Sequence, residues 1–144
     1  MCGIAGVMYR GSENFGTGEA LIRMLDGCQH RGPDSTGFAL YSPEPSGQLK
    51  LRFFIDPVST VDVDSAIASI RSRLLDLGAT IEEEAKAGDN YRVTIRYTGD
   101  IQKLSYEMEH AAKVISIGTS LEIVKDVGTA HEVDDRYQVN QFSG

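Results

Sequence analysis

The spacing of apolar and polar residues divides the chain into segments of two different periods. Leu21, Met24, Leu25 and Cys28 fall at i, i+3, i+4 and i+7, one face of a helix. Thr17 stands where its N-cap is expected, and Gly32 lies just past its expected end. Upstream, residues 2–8 form a short apolar run interrupted by Gly3 and Gly6. Glycines there weaken a strand and suggest close approach of another backbone or a ligand. Beyond Pro33-Asp34-Ser35, residues 36–41 read as a strand with Phe38 and Leu40 on one face. Residues 42–48 hold two prolines and a glycine and read as a loop.

From Leu49 the texture changes. Leu51, Phe53 and Ile55 alternate as in a strand. Asp64 is the expected cap of a helix with Ile67, Ile70, Leu74 and Leu77 inward, and Gly78 is its stop. Residues 79–87 and 91–97 read as strands joined by a turn at Asp89-Asn90, with Tyr91, Val93, Ile95 and Tyr97 alternating. Asp100 then caps a helix that presents Ile101, Leu104, Met108 and Ala111, and residues 114–117 give another strand. Strand, helix, strand, strand, helix, strand is the βαββαβ, ferredoxin-like pattern, expected over 49–118. Residues 121–125 predict a further strand, and Thr129-Ala130-His131-Glu132 a capping box with a short helix behind it. No closing element is evident after that.

With 144 residues, 41% hydrophobic and 24% charged, the chain has the composition of an ordinary globular protein. That composition argues against disorder and against a low-complexity tail. A net charge of -7, with basic residues scattered among acids, argues against a nucleic-acid partner. No segment has the apolar length of a membrane span. No basic region followed by an apolar run marks a secretory signal. Two cysteines, Cys2 and Cys28, are too few for a disulfide scaffold and fit reduced thiols in a cytoplasmic protein.

Cys2 carries the chemistry. Methionine aminopeptidases remove an initiator Met before small residues, which would place a thiol and a free α-amine on one residue. The thiol has an ordinary pKa of about 8.5, and the α-amine one of about 7.7–8.0. A base near neutrality can take the thiol proton directly or through water, which is the N-terminal form of a nucleophile–base pair. Such a pair suits acyl transfer from an amide.

The start Met1-Cys2-Gly3-Ile4-Ala5-Gly6-Val7 and the run Gln29-His30-Arg31-Gly32-Pro33-Asp34-Ser35-Thr36-Gly37 together resemble the class II glutamine amidotransferases. That family opens with Cys-Gly-Ile and carries Arg-Gly-x-Asp-Ser-x-Gly after its first helix. The resemblance covers residues 1–42 and, more weakly, 119–142. It implies an N-terminal-nucleophile (Ntn) hydrolase αββα sandwich, here the part made by 1–48 and 119–144. The 49–118 insertion is similar to that of glutamate-synthase-like proteins of the N-methylglutamate synthase type. By resemblance, Cys2 is the nucleophile and its α-amine the base. Arg31 and Gly32 shape the glutamine pocket, with a structural salt bridge the alternative for Arg31. Asp34 and Ser35 hold the turn. The implied reaction is the glutaminase half-reaction, glutamine to glutamate plus ammonia for a synthase partner or domain, with no cofactor.

The family also uses an Asn-Gly pair that donates to the oxyanion, an arginine for the glutamine carboxylate and a later aspartate. Asn14, Asn90 and Asn140 are followed by Phe, Tyr and Gln, so no Asn-Gly is present. The expectation is therefore a truncated chain with an incomplete site, exposing a sheet edge and an apolar face. The alternative is a catalytically inactive fragment acting as a ferredoxin-like effector-binding or interaction module. A metal site at Cys2, Cys28 and His30 lacks the spacing of structural zinc. Gly16-Thr17-Gly18 lacks the third glycine of a dinucleotide fingerprint. Glu82-Glu83-Glu84, His110 and His131 read as solvated surface.

Overall fold

A computed structural model describes residues 3–10, 16–28, 35–42 and 47–142. The chain is mixed α and β and divides into two compact units, residues 43–123 and residues 1–42 with 124–144.

In the 43–123 unit, strands β2 (Gln48–Phe54), β3 (Thr80–Ala87), β4 (Asn90–Arg96) and β5 (Lys113–Gly118) form one sheet in the order β3-β4-β2-β5. Every neighbouring pair is antiparallel, and Leu51 stands opposite Val93 on one side and Ile117 on the other. Alternation sends Leu49, Leu51, Phe53, Tyr91, Val93 and Ile95 to one face, all 3% exposed or less. Helices α2 (Val63–Asp76) and α3 (Ile101–Ala111) supply Ile67, Ile70, Leu74, Leu104 and Met108 to the same core.

Helix boundaries follow local chemistry. Asp62, not Asp64, caps α2: its Oδ1 accepts from Ser65 N at 2.9 Å. Both aspartates precede the apolar face, but only Asp62 has the extended backbone an N-cap needs. Asp100 caps α3 as expected, accepting from Gln102 N at 2.8 Å. Gly78 ends the α2 region at φ 83°, a left-handed conformation that costs a β-carbon-free residue little. Ile101, the first residue of α3 and expected inward, is 48% exposed.

The opposite sheet face is polar and tightly paired. Glu122 accepts from Arg52 Nη2 and Arg92 Nε at 3.0 Å each and sits 3.3 Å from Lys50 Nζ. Burial opposes its ionised form, but the Arg92 hydrogen bonds and the three nearby cations outweigh it and hold its carboxyl below the usual range. The acidic run is also engaged: Glu82 bonds Arg96 and Gln48, and Glu84 bonds Arg71.

The other unit contains α1 (Thr17–Asp26), β1 (Ser35–Tyr41), most of β6 (Leu121–Val127), α4 (Ala130–Tyr137) and a 3-10 turn, Val139–Gln141. Strands β1 and β6 pair with each other. Leu21, Ile22, Phe38, Val124, Ala130, Val133 and Val139 form its core. The expected face of α1 is rotated: Ile22 is buried and Met24 is 43% exposed. Gly16 precedes the helix without a side-chain cap, Gly27 ends it, and Cys28 lies in the turn beyond. The capping box is present, with Thr129 Oγ1 accepting from Glu132 N and Glu132 accepting from Thr129 N. The 3-10 turn is a closing element that the sequence pattern did not reveal. Phe142 O accepts from Gly18 N at 3.0 Å, and a β-carbon on Gly18 would stand 1.9 Å from Val139 O. Residues 3–10 form no strand; Ile4 and Met8 are 92% and 83% exposed.

Candidate functional site

Gly3 is where the first sequence motif meets the second in space. Its backbone lies against Cys28, so that a β-carbon on Gly3 would fall 2.6 Å from Cys28 Cβ and 3.5 Å from Sγ. Glycine is required for that approach. Gly3, Leu25, Cys28, Ser35, Thr36, Gly37 and Ala130 line a cavity of about 90 Å³. A neighbouring hollow of about 510 Å³ runs between residues 3–9 and the Ala39–Leu40–Tyr41 end of β1, with Leu21, Leu25 and Phe142 in its wall.

Three elements set this geometry. The turn after α1 places Cys28, whose amide donates to Leu25 O at 2.9 Å. Strand β1 presents Ser35, Thr36 and Gly37, and the Thr36 hydroxyl donates to Gly128 O at 2.8 Å, tying β1 to the turn before α4. Ala130, the first residue of α4, is 1% exposed and closes the floor. His131 of α4 is bonded to Asp26 at the end of α1. Nearby, burial opposes ionisation of Asp126, but hydrogen bonds from Tyr137, the Val127 amide and Arg136 outweigh it and keep its carboxyl below the usual range.

Cys2, Arg31 and Gly32, the site residues expected from sequence, lie outside the described residues, as does Asp34. Of the second motif, Ser35, Thr36 and Gly37 are described, and all three line the small cavity with Gly3. Cys28, expected as a core thiol on the helix, is half-buried in that cavity instead. Thr36 and Ala130 were not singled out by sequence. Thr36 carried only the weak signal of a hydroxyl on the same face of the strand as Phe38 and Leu40. His110 is exposed, its Nδ1 bonded to Tyr106 O. Among the described residues no group of three or more His, Cys, Asp or Glu side chains is placed to hold a metal ion. Among them also, no helix is long and apolar enough to cross a membrane.

Two curated proteins resemble the chain along nearly its whole length. A protein of Methanothermobacter thermautotrophicus named "Putative glutamine amidotransferase" is 29% identical over 155 aligned positions, covering 95% of this chain and 47% of its own length. The glutamine amidotransferase-like protein GlxB of Rhizobium meliloti is 28% identical over 156 positions, covering 100% of this chain and 47% of its own. The chain is distantly related to glutamine amidotransferase-like proteins. It spans about half the length of these relatives. No protein-family profile matches it.

Proposed function

We propose that residues 1–48 and 119–144 are the nucleophile-bearing part of a class II glutamine amidotransferase domain of the Ntn-hydrolase type. In this reading 49–118 is a ferredoxin-like insertion. The observation that carries the proposal is the meeting of Gly3, bonded to Cys2, with Ser35, Thr36 and Gly37 around one small cavity. Two sequence pieces more than thirty residues apart, each matching the same family, share one site. The relatives' names support the same activity. The strand order β3-β4-β2-β5, all antiparallel, supports the ferredoxin-like reading of the insertion.

In the proposed reaction Met1 is removed and the α-amine of Cys2 takes the thiol proton. The thiolate attacks the side-chain amide carbon of glutamine, and the C–N bond of the tetrahedral intermediate breaks. Ammonia leaves, carrying a proton, and water hydrolyses the thioester to glutamate. Arg31 and Gly32 shape the glutamine pocket. Ammonia passes to a synthase domain or subunit in the cytoplasm, and no cofactor takes part. The oxyanion donors and the carboxylate-binding arginine are then supplied by further sequence or another chain.

A second reading rests on the 43–123 unit, which has its own four-stranded sheet and hydrophobic core: an inactive amidotransferase part whose ferredoxin-like module binds an effector or a protein. Glutamate release from glutamine by the full polypeptide separates the two. The first reading expects release that Cys2→Ala reduces to background. Equal release by both proteins would refute Cys2 as nucleophile, and a folded protein releasing none would favour the module.

A further inference from the structure

We infer that the polar face of the four-stranded sheet is a binding site for a small oxyanion, a phosphate or a dicarboxylate, and that Glu122 holds this site until the anion displaces it. The inference gives the effector-binding module of the second reading a ligand class, and it holds whether or not Cys2 is a nucleophile.

Strands β2 and β4 carry the cations Lys50, Arg52, Arg92 and Arg96, and alternation sends all of them to the face opposite the core. On a chain of net charge -7 that is a local concentration of positive charge. Arg52 stands directly opposite Arg92, a like-charge pairing that by itself weakens a sheet. Glu122 meets Arg52 Nη2 and Arg92 Nε at 3.0 Å each and lies 3.3 Å from Lys50 Nζ, so a carboxylate already sits where three of the cations converge. Planar guanidinium forks match the oxygens of carboxylate and of phosphate alike. Glu83 also approaches Arg92 Nη1, at 3.8 Å, from the adjoining strand, and Arg96 is engaged by Glu82.

The second observation is Thr94. It lies directly across from Lys50, on the same face of β4 as Arg92, and is 3% exposed. Its Oγ1 is buried without a hydrogen-bond partner among the described residues. A buried hydroxyl left unpaired lowers stability, whereas a valine of the same shape would not. Beside these cations, such a donor fits a bound oxyanion: Lys50, Arg52 and Arg92 meet its charge, and the Thr94 hydroxyl donates to a further oxygen that a single carboxylate does not supply. The Arg92 side chain is 28% exposed, so the cluster is open to solvent on that side. Exchange of Glu122 for the anion loosens the first residues of β6, where the Ile123 amide donates to Ser116 Oγ at 3.2 Å.

The test is calorimetric titration of the full polypeptide with inorganic phosphate and, separately, with malonate, against chloride at matched ionic strength, together with amide exchange at Ile123. The expected result is saturable binding of at least one of the two, with faster exchange of the Ile123 amide in the complex; the anion that binds names the class. Thr94→Val should weaken that binding about tenfold, the loss of one hydrogen bond to a charged group. It should leave the urea midpoint of the free protein unchanged or higher. Glu122→Gln, whose amide competes less for the cations, should bind more tightly than wild type, and the anion should recover part of its lost stability. Where Glu122→Gln does not fold, Thr94→Val carries the test. A purely structural cluster gives no saturable heat beyond chloride. That result, or Thr94→Val binding like wild type, or a folded Glu122→Gln binding more weakly, overturns the inference. Saturable binding with Ile123 exchange unchanged overturns the displacement of Glu122. Each of these outcomes leaves the amidotransferase reading of Cys2 where it stood.

Discussion

Glu122→Gln is expected to destabilise the 43–123 unit by removing a carboxylate that serves three cations. The side chains of Lys50, Arg52, Arg92 and Glu122 are only 13%, 10%, 28% and 16% exposed. Arg92 donates twice, at 3.0 Å to Oε2 and 3.2 Å to Oε1, and Arg52 once at 3.0 Å. Removing one partner of a buried pair costs about 3–5 kcal/mol. Partial water access lowers that figure and the leftover cation repulsion raises it, so the expected loss is about 2–4 kcal/mol. Urea unfolding followed by circular dichroism measures it, and amide exchange in β2 and β4 localises it. The pH dependence supplies the sign. Because the folded carboxyl titrates below its ordinary value of 4.5, its stabilising contribution is complete above that pH. It is lost as pH falls from there through the folded pKa. The gap between wild type and Glu122→Gln should therefore be full at pH 7 and shrink in the acid range. A loss under about 0.5 kcal/mol, or a gap constant across the acid range, would refute the reasoning.

Three further predictions concern the packing. Leu104→Ala empties a fully buried position between α3 and the sheet and should cost about 2–5 kcal/mol in denaturant unfolding. Thr129→Ala removes the side-chain half of the capping box and should cost about 1 kcal/mol, with faster amide exchange in the first turn of α4. Gly18→Ala places a methyl where Val139 O stands 1.9 Å from the ideal β-carbon, so the 139–142 segment must move. The expected cost is about 1–3 kcal/mol, read by thermal unfolding.

The 43–123 unit was legible because its elements are regular and amphipathic. Leu49, Leu51, Phe53 and Ile55 alternate, and Ile67, Ile70 and Leu74 recur at helical spacing; all seven are buried. Its polar face was less legible. Glu122 draws Arg52 and Arg92 from strands 70 and 30 residues away, a partnership that the sheet order creates. The Glu82-Glu83-Glu84 run read as solvated surface for the same reason. Around the candidate site the sequence named motifs but not neighbours. Cys28 fits the helical repeat that begins at Leu21, yet Gly27 ends the helix first and turns the thiol toward Gly3. Residues 3–10 are apolar enough for a strand, but Gly3 and Gly6 weaken it and no pairing forms. The 3-10 turn that seats α1 carries no periodic signal, since its contacts are backbone carbonyls meeting a glycine.

The central claim is that Cys2 is an N-terminal nucleophile. Its most direct test is the intact mass of the full polypeptide before and after incubation with a diazo-ketone analogue of glutamine, followed by peptide mapping. The account predicts a chain lacking Met1 that gains one adduct, located on Cys2 and absent from Cys2→Ser. A folded protein that keeps Met1 and takes no adduct would contradict it.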